Sequence, residues 1–466
     1  MLYDLYRHNL TLLTDLYQLT MAAGYWHAER HDRRACFQLY FREHPFNGHY
    51  TVAAGLAQVI DYLQHLQFDV ADIQYLGGLT DARGQSLFDE SFLNYLQRFN
   101  FSCSVDAVPE GTIVQPNTPL IRVTGPLLQC QLIETALLNF VNFASLIATK
   151  ARRICTAAGS DAVLEFGLRR AQGIDGGLTA SRAAYLGGCA ATSNVLAGKL
   201  YGIPVKGTHA HSWVMVFGDE LTAFRTYADA QPGNCIFLVD TYDTLQGVRH
   251  AITVGEELRA RGYTLNGIRL DSGDLAQLSS DARRLLDAAG FPGTHIVASD
   301  SLDEYRIAEL KAKGAQIAVW GVGTRLATAY DQPALGGVYK LTAVQNADGH
   351  WEDRIKLSAN PIKTTIPGIH QVRRYRTNEG WTDLLYDVRD GLSKEARTLN
   401  GEVVTAPSNA EGVDVLVPIF DEGELVYTIP PLKFSRNKLL NNSSVDFVLN
   451  LVIAASLWQR RVTLGG

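Results

Sequence analysis

The stretch LNGIRLDSGDLAQL, Leu265 to Leu278, shows the pattern on which the middle of the chain is built. A nearly all-apolar run, Leu265 to Leu270, predicts a buried strand. Asp271-Ser272-Gly273-Asp274 predicts a polar turn at its end, and helical periodicity begins at Leu275. The order recurs. Predicted strands Ala162 to Phe166, Ile203 to Val205, Cys235 to Val239, His295 to Ala298 and Gln316 to Val319 alternate with helices near Ser181 to Leu200, Asp219 to Ala228, Thr244 to Arg261, Leu275 to Ala289 and Leu302 to Lys313. Apolar strands in β–α repeats require a parallel sheet covered by helices, either a (βα)-barrel or a doubly wound sheet. In a barrel, many strands deliver polar residues to one mouth at their C-terminal ends. A doubly wound sheet shows one dominant glycine fingerprint after its first strand. Here Glu165-Phe166-Gly167, Lys206-Gly207-Thr208, Asp240-Thr241, Asp271-Ser272-Gly273, Ser299-Asp300 and Gly321-Val322-Gly323-Thr324 each lie at or just after a strand end, and no such fingerprint is present. The reading is therefore α/β with an irregular (βα)-barrel.

The flanks have another character. The first 125 residues predict helices over Asp15 to Trp26, Leu56 to Leu66 and Asp89 to Phe99, alternation at Phe37, Leu39 and Phe41, and a β-hairpin from Pro109 to Pro126 turning at Gln115 to Thr118. A long helix, Gln129 to Ala157, follows. Beyond Gly336 the predicted strands are Val338 to Val344, Arg354 to Leu357, Val372 to Tyr375 and Val413 to Val417, with loops at Asn346 to Trp351 and Arg397 to Gly412 and a last helix near Ser444 to Arg460. The expected division is an N-terminal α+β domain at 1–125, the barrel at 126–345, and C-terminal segments at 346–466 that complete the barrel and pack on the N-terminal domain.

Across 466 residues the net charge is −6, which offers no general attraction to nucleic acid or an anionic membrane, so an anionic ligand needs a local pocket. The six cysteines, Cys36, Cys103, Cys130, Cys155, Cys189 and Cys235, form no CxxC pair and have no histidines at zinc spacing, so they read as reduced core thiols. The opening MLYDLYRHNLTLL lacks the charged, apolar and cleavage regions of a signal peptide, and the expected compartment is the cytosol. Leu132 to Ala148 carries Glu134, Asn139 and Asn142, and Phe447 to Trp458 is too short to span a bilayer; both read as buried helices.

Several strand-end residues suggest chemistry. Gly321-Val322-Gly323-Thr324 can offer backbone N–H groups and a hydroxyl to a phosphate, or be an ordinary glycine turn. Asp271 suits ribose hydroxyls or a phosphate-bound Mg²⁺, while Asp274 suits a helix N-cap. Phe166 with Arg169 and Arg170 sets a flat ring beside fixed positive charge, as an aromatic carboxylate or sugar phosphate requires, although a solvated arginine pair fits equally. His211 can act as a nucleophile through a neutral imidazole nitrogen, with Asp240 able to hydrogen-bond the other nitrogen and fix the tautomer. His209 reads as structural or solvated. Lys206 at a strand end leaves open a Schiff-base lyase.

Taken together, LLTDLYQLTMAAGYW (Leu12 to Trp26), EFGLRRAQGIDGGLTASRAAYLGGCAATSNVLAG (Glu165 to Gly198), GTHAHS, FLVDTYD (Phe237 to Asp243), IRLDSGD, VASDSLDE, WGVGTRL and GGVYKL occur in one order that resembles the nicotinate phosphoribosyltransferase family, of the type II phosphoribosyltransferase fold, across most of the chain. The resemblance implies transfer of phosphoribosyl from phosphoribosyl pyrophosphate to nicotinate, coupled to ATP hydrolysis, with Mg²⁺ as cofactor and His211 as the histidine that ATP phosphorylates. It implies that Phe166 stacks on the pyridine ring and Arg169 meets anionic groups, with Ser193 and Asn194 also in the substrate site. Asp271 would bind ribose hydroxyls or Mg²⁺ beside Arg269, and Ser299, Gly321, Gly323 and Thr324 would hold the 5′-phosphate. Tyr17 would reach the site of a partner subunit in a homodimer. A zinc module near the C-terminus, present in several relatives, is not expected, because no cysteine follows Cys235. Transferases for nicotinamide or quinolinate are the neighbouring alternatives.

Overall fold

A computed structural model of the chain describes residues 10–357, 365–377, 380–398, 400–406, 411–442 and 449–465. It divides into two compact units, one of Met1–Ser145, Ala334–Pro431 and Asn441–Gly466, the other of Leu146–Pro333 and Leu432–Leu440. The first boundary falls inside the continuous helix Glu134–Ala158, whose length no local signal in the sequence subdivides.

The first unit is built on antiparallel pairing. Its seven-stranded sheet runs in the order Trp351–Asp353, Val338–Gln345, Arg34–Tyr40, Ile121–Pro126, Ser104–Ala107, Val417–Asp421 and Glu424–Leu425. The expected hairpin at Pro109 to Pro126 does not form. Ile113–Val114 pairs with Thr51–Val52, while Ile121–Pro126 lies between Arg34–Tyr40 and Ser104–Ala107. Both segments are largely buried, and the choice of partner for such a segment is a tertiary matter. A second six-stranded sheet contains Leu449–Ala454, held between Glu395–Thr398 and Gly380–Asp387. The expected terminal helix is therefore confined to Ala455–Gly465, and the start of that expectation, 444–448, lies outside the described residues. A short unbroken apolar run does not by period alone distinguish strand from buried helix. Glu395–Thr398 and Val403–Thr405 are strands where a loop was expected, with 399 and 407–410 outside the described residues. Trp351–Asp353, rather than Arg354 to Leu357, is the strand that follows Val338–Gln345.

The second unit is a parallel sheet wrapped by helices. The strands run in the order Ala191–Thr192, Ala162–Glu165, Val319–Val322, His295–Ala298, Gly267–Leu270 and Ile236–Leu238, and Val205 adds a single parallel bridge to Thr192 at the first edge. This is the irregular barrel expected from the repeat. Its helices Glu220–Ala230, Thr244–Ala260, Leu275–Ala288 and Glu304–Ala312 lie close to their sequence-derived positions, each begun by an aspartate whose side chain accepts a backbone N–H. The helix expected over Ser181 to Leu200 is instead two, Gly173–Gly187 and Val195–Tyr201, with the strand Ala191–Thr192 between them. Gly188 at φ +128° ends the first, and a Cβ on Gly187 would stand 2.4 Å from the Ala148 carbonyl oxygen. The Gln316 to Val319 strand is displaced to Val319–Val322, which places the buried Trp320 in the sheet with its Nε1–H donating to Asp161. The helix Leu432–Asn442 lends its 432–440 portion to this unit, where Arg436 donates to the carbonyls of Gly188 and Cys189. Among the described residues no helix is long and apolar enough to cross a membrane.

Candidate active site

Parallel register brings the strand ends level. Leu238 lies beside Arg269, Leu270 beside Ala298, Ala298 beside Trp320, and Val322 beside Glu165. The next residue on each strand therefore faces the same mouth.

Arg269 is the centre of the mouth. Its Nε donates to Ser299 Oγ at 2.8 Å, one Nη to Thr208 Oγ1 at 3.0 Å and the other to Asp271 Oδ1 at 2.9 Å. The guanidinium carbon lies 6.0 Å from the centroid of the Phe166 ring. A planar fork of donors ties the end of its own strand, at Asp271, to the adjacent strand end at Ser299 and to Thr208 after Val205, which a lysine could not do. Ser299 Oγ also donates to Asp271 Oδ1. Burial pushes the Asp271 carboxyl up, but the Ser299 hydrogen bond and the Arg269 charge outweigh it and hold the group below the usual aspartate range.

His211 begins the short helix His211–Val216. Its Nδ1 lies 3.1 Å from Thr241 Oγ1, and its Nε2 faces two carboxylates, Asp271 Oδ2 at 3.7 Å and Asp240 Oδ1 at 3.9 Å. The expected Asp240 hydrogen bond that would fix the tautomer does not form, since Asp240 Oδ1 stands 3.9 Å from Nε2, and the hydrogen-bond partner of the ring is Thr241 instead; Asp240 Oδ2 accepts from the Asp271 N–H and Ser272 Oγ, both at 2.7 Å. Asp240 Oδ1 is buried with no hydrogen-bond partner among the described residues. His211 keeps 40% of its side chain exposed, enough for a ligand to reach it.

The glycines explain the Phe166 pocket. Gly321 is a strand residue beside Leu164, and a Cβ there would stand 2.8 Å from two Phe166 ring carbons. Gly323 would bring a Cβ within 3.3 Å of the Phe166 carbonyl oxygen, and Gly167 one within 2.3 Å of Ala327 Cβ. The two segments approach so closely that a Cβ at Gly321 or Gly167 would force the neighbouring atoms to move, and one at Gly323 would be tight. Beneath them the buried Glu165 accepts from Gly167 N–H, from Ser181 Oγ at 2.9 Å and from Thr192 Oγ1 at 2.6 Å.

His211, Asp240, Asp271, Arg269, Ser299, Phe166, Gly321 and Gly323 are thus brought together. Ser193 is tied one strand further along, its N–H donating to the Glu165 carbonyl. Asn194 is buried, and its amide caps the Val195–Tyr201 helix and donates to Ser181 Oγ at 3.2 Å. Arg169 and Thr324 stand exposed, and among the described residues no hydrogen bond joins either side chain to the cluster. Asp274 is a helix cap, accepting from the N–H groups of Ala276 and Gln277. Lys206 is exposed, whereas a Schiff-base lysine needs a desolvated site to lose its proton. Tyr17 lies on the helix Leu16–His27 of the other unit. Thr208, Thr241, Ser272 and Glu165 hold the assigned residues in place without having been assigned themselves; their position at strand tips was the available signal. The arrangement can hold an anionic, hydroxyl-bearing ligand between Arg269 and the two carboxylates, beside a flat ring and an accessible imidazole.

The model for the nicotinate phosphoribosyltransferase N-terminal domain matches residues 12–142, and that for the nicotinate phosphoribosyltransferase family matches 162–368. The chain is 46% identical over 449 residues to a nicotinate phosphoribosyltransferase of Bacillus subtilis (strain 168), covering 94% of this chain and 89% of that protein. It superposes on a crystal structure of human nicotinic acid phosphoribosyltransferase with a TM-score of 0.84 at 32% identity, covering 97% and 99% of the two chains. A nicotinate-nucleotide pyrophosphorylase structure from Pyrococcus furiosus, at 22% identity and a TM-score of 0.71 over 93% of this chain and 95% of that one, shares the fold.

Proposed function

The chain belongs to the nicotinate phosphoribosyltransferase family, and from that membership we propose that it joins nicotinate to phosphoribosyl pyrophosphate in the cytosol, releasing pyrophosphate and nicotinate mononucleotide for NAD biosynthesis. The observation that carries the reading is the Arg269 fork, which gathers Thr208, Asp271 and Ser299 beside the Phe166 ring. The pyridine ring stacks on Phe166, with Arg169 at the rim meeting its carboxylate. The Asp271 carboxylate, held ionised by its neighbours, accepts hydrogen bonds from the ribose hydroxyls. Ser299 and the Gly321–Thr324 segment receive the 5′-phosphate, and Ser193 and Asn194 support the adjoining wall. The pyridine nitrogen attacks the anomeric carbon as pyrophosphate leaves, and the fixed carboxylates face the positive charge that develops on the ribose.

A Mg²⁺ ion fits as a companion of the substrate. Asp271 Oδ2 and the unpartnered Asp240 Oδ1 are the oxygens that would take it, and two carboxylates with substrate phosphates make an ordinary Mg²⁺ donor set. Bound there, it would neutralise the departing pyrophosphate.

The ATP-coupled cycle is part of this proposal. A His211 ring nitrogen attacks the γ-phosphorus of ATP, ADP leaves, and the N–P bond is later hydrolysed to phosphate. The added charge changes the balance among Asp240, Asp271 and Arg269, and so changes how strongly pyrophosphate is held. A homodimer, with Tyr17 completing the partner subunit's site, is consistent with exposed apolar residues on short elements near the mouth: Val195, Leu196, Leu200, Met215 and Val216.

The test is product identification with nicotinate, phosphoribosyl pyrophosphate, Mg²⁺ and ATP, each omitted in turn, with nicotinamide and quinolinate as competing pyridines. Nicotinate mononucleotide formed from nicotinate alone among the three is expected. Product from either of the other two at equal rate would overturn the substrate assignment, and an ATP-independent rate equal to the full rate would remove the coupling. Borohydride trapping of a sugar phosphate on Lys206 would revive the lyase reading.

A further inference from the structure

The parallel sheet of the second unit has an open seam. One edge is Val205, bridged to Thr192, and the other is Ile236–Leu238. Among the described residues no backbone ladder joins them. At the second edge, Val239 N–H bonds the Arg269 carbonyl, so the Leu238 N–H faces the opposite way, toward the seam. A buried backbone donor there needs an acceptor, and it finds His209 Nε2 at 3.2 Å. The imidazole occupies the place that a neighbouring strand's carbonyl would take in a closed barrel.

The ring is firmly seated. It lies 5.1 Å from the Tyr227 ring, 5.8 Å from Phe224 and 6.2 Å from Phe237, centroid to centroid, and only 7% of the residue is exposed. An Nε2 that accepts leaves the proton on Nδ1, which lies 3.4 Å from the Ala210 carbonyl oxygen. Burial, with smaller contributions from the Arg269 and His211 charges, pushes the imidazole down to about 4, so it stays neutral and able to accept. On either side of this anchor stand two working residues: Thr208, which takes a hydrogen bond from Arg269, and His211, which faces Asp240 and Asp271.

We propose that His209 is a positioning residue of the active site, whose ring nitrogen closes the barrel seam on the Leu238 amide and thereby sets Thr208 against Arg269 and His211 against its two carboxylates. The segment from Lys206 to His211 crosses the seam with its first N–H on the Thr192 carbonyl, and among the described residues the His209 ring is what bonds it to the Ile236–Leu238 strand. Loss of the acceptor, rather than loss of bulk, is what should matter.

Two readouts test this in the full chain. Amide exchange at Leu238, followed by mass spectrometry or NMR, should be slow in the unmodified protein and in His209→Gln, whose amide oxygen reaches the same donor, and fast in His209→Phe, which fills the aromatic box with no acceptor. The kinetic arm rests on the activity proposed above: His209→Phe should lower kcat for the ATP-coupled transfer by roughly 10- to 100-fold with little change in the KM for nicotinate, while His209→Gln stays within about threefold. Should His209→Phe fail to fold, His209→Met is read in its place. Unchanged Leu238 exchange and kcat in the acceptor-free variant, or a Gln variant as impaired as the Phe variant, would overturn the proposal. If the unmodified protein turned over no nicotinate, the activity would fall while the exchange arm still decided the seam.

Discussion

Individual residues set the local electrostatics and the tightest contacts. Gly321→Ala would force a Cβ against the Phe166 ring. If Phe166 is the stacking surface proposed above, the expected result is a rise of roughly tenfold or more in the KM for nicotinate, with about 1–3 kcal/mol lost from stability by overpacking; steady-state kinetics and denaturant melts read the two separately. Two buried histidines predict a loss of stability in acid. His209 and His370 are both pushed down to about 4, chiefly by burial, His370 bonding the Pro367 carbonyl at 3.1 Å. Both depressions mean that the unfolded chain takes up these protons first, near the ordinary histidine value of 6.5. Their contribution is therefore full above about pH 6.5 and is lost progressively as pH falls toward 4. Unfolding free energy measured across that window should decline, and His370→Gln should flatten the slope; an identical slope would rule out this source. Phe166 and Asp271 were legible because each stands at the end of an apolar run, and His211 because a neutral imidazole nitrogen can act as a nucleophile; Arg269, inside its strand, came only from the family resemblance. The reason for Gly321 was not, since a strand glycine and a turn glycine look alike until the opposing ring is placed.

Elements carry the next level of the argument. The stretch Ser181 to Leu200 shows helical character throughout, yet the structure breaks it at Gly187-Gly188 because the backbone of Ala148 approaches there. The restart depends on Asn194, whose side chain accepts the Ala197 N–H and also donates to Ser181. Asn194→Ala should cost about 1 kcal/mol or somewhat more, as loss of a cap plus a buried hydrogen bond does, visible as a lower denaturant midpoint at unchanged slope. The helix Glu134–Ala158 supplies the fully buried Lys150, paired with Glu304 at 2.7 Å and with Asp331, which lie after the His295–Ala298 strand and after the Thr324–Ala327 turn. Lys150→Met leaves two carboxylates without that cation, and a loss of about 3–5 kcal/mol is expected. A fall of less than about 1 kcal/mol would show that Arg153 and Arg325 suffice for them. Periodicity places these helices well; it carries no information about which buried charge finds which partner.

At the scale of the whole molecule, the question is assembly. Met215 and Val216 are strongly exposed at the end of the His211 helix, and in the homodimer proposed above they would lie at the subunit interface. If that homodimer forms and Tyr17 serves the partner subunit's site, Met215→Glu with Val216→Lys should shift sedimentation from dimer to monomer and lower activity more than stability. A chain that sediments as a monomer before any substitution would remove the premise.

The order of apolar runs and polar tips determined the β–α repeat, the parallel sheet and the mouth where chemistry gathers, because strand burial and turn chemistry are written in adjacent residues. The pairing of Ile113–Val114 with Thr51–Val52, the strand made from Leu449–Ala454, the division of the chain at Ser145 and the return of 432–440 to the second unit were decided only by tertiary packing. So was the seat of His209. Each of these depends on which distant surface offers the better partner for a buried apolar run or an unsatisfied N–H, and neighbours in sequence do not encode that choice.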